Sequence, residues 1–86
     1  MSVLENLRGL TLELSADTQR TGESLSAYSH EFNKQRVRIN DTLRGSTQRK
    51  DQELMATVDD AERQVRQAVL ALQRASRVAR DYAHNL

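Results

Sequence analysis

His30-Glu31 opens like the His-Glu-x-x-His pattern of zinc hydrolases, where two His residues one turn apart hold the metal and the Glu is the base. The fifth position is Lys34, a cation, and the pattern ends there. Di-iron bundles need Glu-x-x-His pairs on facing helices. The nearest approach to one is a single Asp81 and His84. Asp59, Asp60 and Glu62 gather carboxylates that could hold a cation or move a proton if partners converged on them. Asp59 instead has Arg63 four residues on, and Glu62 has Arg66 four residues on. That is the spacing of ion pairs on the solvated face of a helix. Seven Ser residues include no Gly-x-Ser-x-Gly elbow. Gly45-Ser46-Thr47 lacks the Lys and the spacing of a phosphate loop. With no Cys there is no thiolate ligand, no disulfide and no thiol nucleophile. The residues predict no catalytic, cofactor-binding or metal-ligating set, and therefore no enzyme and no cofactor.

Arg74, Arg77 and Arg80 form a short basic ridge. Eleven Arg and two Lys are spread along the chain among twelve acids, for a net charge of +1. That balance gives no bulk attraction to a phosphate backbone, so no nucleic-acid partner is expected.

Elements that would carry these residues follow from composition. In 86 residues there is no Pro and only three Gly, which leaves room for very few turns. Leu, Ala, Gln, Glu and Arg favour helix, and no strand-length stretch alternates apolar with polar. The chain reads as all-α. No apolar run is long enough to span a membrane, and the start, Met1-Ser2-Val3-Leu4-Glu5, does not resemble a cleavable signal peptide.

Two seven-residue series run through the first half. Leu4, Thr11, Thr18, Leu25, Phe32 and Ile39 form one; Leu7, Leu14, Thr21, Tyr28 and Gln35, three residues on, form its companion. On a helix they make one narrow stripe. Thr11, Thr18, Thr21, Gly9 and Gly22 weaken its first part, so fraying or a kink is expected over about the first 20 residues. The second half has Val58, Val65, Leu72, Ala79 and Leu86, with Leu54, Ala61, Ala68, Ala75 and Tyr82 as companion. Its Ala row would let a neighbouring helix approach closely. Between the halves, Gly45 can close the first helix, and Ser46 or Thr47 can cap the second with Asp51 near its positive end. Asp41 would oppose the dipole of the first helix and favour an early end. The expected organisation is one helical-hairpin domain over 1–86: helix 1 about 2–41, a turn about 42–47 and helix 2 about 48–84.

Two helices cannot bury both stripes thoroughly. Off the stripe lie Met55, Val69, Leu70 and Val78, and on the first helix Leu10, Leu12 and Val37. Leu70 falls about 120° round from Val58. A second packing face follows, completed by dimerisation into a four-helix bundle. The expected partner interface is Leu25, Tyr28, Phe32, Ile39, Val58, Val65, Leu72, Leu70 and Tyr82.

The turn tripeptide Leu43-Arg44-Gly45 lies mid-chain, the second helix is rich in Ala and Gln, and Tyr82 stands near the C-terminus. In these respects the whole chain resembles the Trp-x-Gly (ESX-type) small helical-hairpin proteins of bacterial type VII secretion. Leu43 replaces the defining Trp, and Leu86 stands where the Tyr-x-x-x-acid export signal would have its acid. The resemblance implies a non-enzymatic hairpin in the bacterial cytoplasm, in homo- or heterodimers. It would be exported without a cleavable signal peptide, beside a partner carrying the signal, or would act as targeting factor for a larger secreted effector. Two readings compete with it: a helical chaperone or adaptor of another secretion system, and a self-associating structural coiled-coil subunit.

Overall fold

A computed structural model describes residues 2–86. They form two antiparallel helices, α1 (Val3–Leu43) and α2 (Arg49–His84), packed side by side along their lengths. The hairpin measures 65 × 17 × 13 Å. The all-α, two-helix reading of the sequence is the fold observed.

α1 starts on a signal that lies outside the stripe. Ser2 and Glu5 have the Ser-x-x-Glu spacing of a capping box, and the Ser2 hydroxyl accepts a hydrogen bond from the Glu5 backbone N–H at 3.1 Å. The helix then runs unbroken through Gly9 and Gly22, without the expected fray or kink. The Thr hydroxyls are absorbed by the helix itself: Thr18 donates to the Leu14 carbonyl at 2.6 Å and Thr21 to the Asp17 carbonyl at 3.0 Å. Asp41 does not end α1 early: the helix continues to Leu43, and the exposed Asp41 carboxylate pairs with the Arg44 guanidinium at 3.0 Å.

Gly45 makes the reversal with φ +80°, where a side chain would be strained. The Ser46 N–H donates to the Leu43 carbonyl at 3.0 Å. Neither Ser46 nor Thr47 occupies the cap position of α2, which is Gln48, with no side-chain cap bond. Ser46 acts from two residues further back. Its hydroxyl donates to the Asp51 carboxylate at 2.7 Å and accepts from the Gln48 N–H at 3.2 Å, tying the loop to the first turn of α2.

The seam between the helices corrects the sequence reading in one systematic way. On α1 the series Thr11, Thr18, Leu25, Phe32 and Ile39 does face α2. Its true companion lies four residues on, at Ser15, Gly22, Ser29, Arg36 and Leu43. On α2, Val58, Val65, Leu72 and Ala79 face α1, with Met55, Glu62, Val69, Ser76 and Ala83 as companions. Met55 and Val69, expected off the stripe, are therefore in the seam. Steps alternating between 3 and 4 keep the seam facing the partner helix along the whole length.

The core is thin. Among the described residues only Ser15, Gly22, Ser76 and Ala83 are buried, from the middle of the hairpin to its open end, where small side chains bring the backbones together. A Cβ on Gly22 would lie 3.5 Å from the Leu72 Cβ. The Ser15 hydroxyl donates to the Ser76 carbonyl at 2.7 Å, and the Ser76 hydroxyl donates to the Ser15 carbonyl at 2.9 Å. The close approach expected of Ala61, Ala68 and Ala75 belongs to these residues instead.

Candidate functional site

The sequence companions that missed the seam form a surface. Each lies one position outside it, and an antiparallel pairing brings like positions of the two helices to the same side of the hairpin. Leu7, Leu14, Thr21, Tyr28 and Gln35 of α1 thus share one face with Leu54, Ala61, Ala68, Ala75 and Tyr82 of α2. None of the ten is charged, although 29% of the chain is. One position further round, Leu10 of α1 and Val78 of α2 extend the face and are exposed, while Asp17, Glu31 and Arg38 of the same α1 row border it with charge. Leu14 is 57% exposed, Tyr28 72% and Tyr82 49%. At the turn end the face opens into a hollow lined by Gln35, Arg38, Ile39, Thr42, Leu43 and Leu54.

The opposite face is polar. Gln19, Glu23 and Ser26 of α1 meet Gln73, Arg77 and Arg80 of α2 along a shallow groove whose floor is Gly22 and Ser76. Leu12, Val37 and Leu70 stand exposed on this side, away from the apolar face.

The structure divides the nine expected interface residues. Leu25, Phe32, Ile39, Val58, Val65 and Leu72 are half-buried in the hairpin's own seam. Tyr28 and Tyr82 stand on the apolar face. Leu70, 64% exposed, is on the polar side with no apolar companion row. Of the turn tripeptide, Leu43 is half-buried in the hollow, while Arg44 and Gly45 are exposed.

Residues singled out for chemistry are dispersed. Glu31 pairs with Lys34 at 3.2 Å beside an exposed His30. Glu62 pairs with Arg66 at 2.8 Å, as the spacing predicts. Asp59 does not pair with Arg63. It bonds across the seam to Arg36 at 3.3 Å, and Arg63 turns to Asp60 at 3.7 Å. Asp59 lies beside the seam, level with Arg36, so the inter-helix partner is nearer than the one a turn along. Among the described residues no group of three His, Cys, Asp or Glu side chains could hold a metal ion. No helix among them is long and apolar enough to cross a membrane.

No family model, curated protein or solved structure matches this chain. The surface must be interpreted from its own residues.

Proposed function

We propose that this chain is a non-enzymatic interaction protein whose apolar face takes up another pair of helices to complete a four-helix bundle. One observation carries the reading: on one side of the hairpin the positions flanking the seam are uncharged on both helices and mostly apolar, whereas on the other side α2 carries Asp59, Arg66 and Arg80 there. A stripe of this kind on an otherwise charged helical surface is the mark of a partner face. The resemblance to the Trp-x-Gly hairpins supports placing it in type VII secretion, as export partner or targeting factor of a secreted effector. Two long helices reversing at Leu43-Arg44-Gly45 support that placement.

The test is pull-down by the tagged chain of an untagged second copy and of the products of neighbouring genes, comparing Ala68→Glu on the apolar face with Leu70→Glu on the polar face. Binding lost in the first variant and kept in the second supports the reading. Binding unaffected by Ala68→Glu, or lost only with Leu70→Glu, overturns it.

A further inference from the structure

Resting on that reading of the apolar face, we propose that the partner is a second copy of this chain, stacked with both turns at the same end, so that α1 of each copy lies over α2 of the other.

The two helices contribute unlike halves to the face. α1 carries bulk at Leu7, Leu14 and Tyr28; α2 has a trough over its middle, at Ala61, Ala68 and Ala75, closed at its ends by Leu54 and Tyr82. Axial levels are fixed by the contacts across the seam: Arg8 with Ala83, Ser15 with Ser76, Gly22 with Leu72 and Arg36 with Asp59. On that scale Tyr28 is level with the gap between Ala61 and Ala68, and Leu14 is level with the stretch between Ala75 and Val78. A two-fold axis along the hairpin's length preserves every level and exchanges the helices. It therefore sets the Tyr28 ring of one copy over the Ala61–Ala68 gap of the other, and does the same in reverse.

A two-fold axis across the length would instead lay α1 on α1 and α2 on α2. Bulk would meet bulk in one pair and Ala would meet Ala in the other. Those pairs would need different axis separations, near ~10 Å and ~8 Å, on two rigid hairpins. Over the middle of the face, only the same-end arrangement sets the large residues Leu14 and Tyr28 of α1 against the Ala row of α2 in both pairs.

Area and polarity agree with a stable dimer. The 65 × 17 Å outline of the whole hairpin projects about 1,100 Å², room for the ~800 Å² that each partner buries in a standard interface. The Thr21 hydroxyl, in the middle of the face, already donates to the Asp17 carbonyl at 3.0 Å. It can be covered without losing a hydrogen bond to water.

The chain has no Cys, so one label site can be introduced cleanly. Thr47→Cys in the turn, carrying a nitroxide, reports the turn-to-turn separation by pulsed dipolar spectroscopy. The same-end dimer places the labels on the order of 20 Å apart. An opposite-end dimer places them near the 65 Å length of the hairpin, and that result overturns the arrangement while leaving the apolar face as the interface. A chain that sediments as a monomer at every concentration up to ~1 mM overturns the second copy as partner. The face itself is then judged by the pull-down above. Tyr28→Ala changes an exposed side chain that the fold does not need, and is expected to weaken the dimer about tenfold or more. An unchanged dimer in both Tyr28→Ala and Ala68→Glu overturns the proposal.

Discussion

Ser15 and Ser76 hydrogen-bond each other reciprocally across the seam, hydroxyl to carbonyl in both directions, with the two hydroxyl oxygens 3.2 Å apart. Both side chains are buried, and each carbonyl lies on the opposite helix. The pair locks the axial register where no large apolar residue can. Ser15→Ala and Ser76→Ala should each cost about 1 kcal/mol, the net value of one hydrogen bond. Ser15→Val should cost about 1–3 kcal/mol, because it also overfills a closed site. Urea denaturation followed by circular dichroism measures all three.

The three glycines should respond in different ways. A Cβ on Gly9 would meet nothing within 4 Å, so Gly9→Ala should stabilise by roughly 0.8–1 kcal/mol through helix propensity alone. Gly22→Ala should also stabilise, because its Cβ would meet the Leu72 Cβ at an ordinary 3.5 Å. Gly22→Leu should destabilise, since the helices would have to separate. Gly45→Ala should cost about 1–2 kcal/mol, because its φ of +80° is open to glycine and strained for alanine. Thermal melts of the four variants give the signs directly.

Asn40 has its amide oxygen shut off from solvent with no hydrogen-bond partner. An unsatisfied buried acceptor is a standing cost of about 1–3 kcal/mol. Asn40→Leu keeps the volume and removes the polar atom. It should raise the melting temperature, by about 4–8 °C for each kcal/mol recovered at this chain length. A melting temperature equal to or below that of the parent chain would contradict the account.

Arg8 closes the open end. Its guanidinium donates to the Ala83 carbonyl at 3.2 Å and to the Leu86 carbonyl at 3.1 Å, satisfying oxygens at the C-terminal end of α2 and placing a cation there. Arg8→Met should leave the bulk of the hairpin folded while the last turn of α2 loses protection. Amide hydrogen exchange over 80–86 should speed up, with exchange near Leu72 unchanged.

The helices, their boundaries to within two residues, and the turn at Gly45 were legible because composition and period 3.5 act locally. One row of each seam was legible too. The other was misassigned, because hydrophobicity pointed to Leu14, Tyr28, Leu54 and Tyr82, whereas the seam uses Ser15, Gly22, Glu62 and Ser76. A seam between closely approaching backbones selects small volume, and small residues carry little hydrophobic signal. The same error explains how the outer face was missed. Apart from Tyr28 and Tyr82, which the sequence reading also places at the partner interface, its residues read as the inside of the hairpin, while residues of the seam such as Phe32 and Leu72 read as the partner's. The Asp59–Arg36 bond was out of reach for a different reason: it depends on axial register, which a single helix pattern does not contain.

The taper of the seam also has a temporal meaning. Its bulkiest apolar residues, Phe32, Ile39, Leu43 and Met55, sit in the half next to Gly45, and its smallest sit at the open end. Bringing Arg36 to Asp59 closes 23 residues of chain, whereas bringing Arg8 to Ala83 closes 75. The longer closure costs about 1 kcal/mol more in chain entropy. The strongest hydrophobic contacts therefore lie where the chain meets itself most cheaply. This taper predicts that the hairpin zips from the turn outward, with the serine pair and Arg8 engaging last, when register is all that remains to be set.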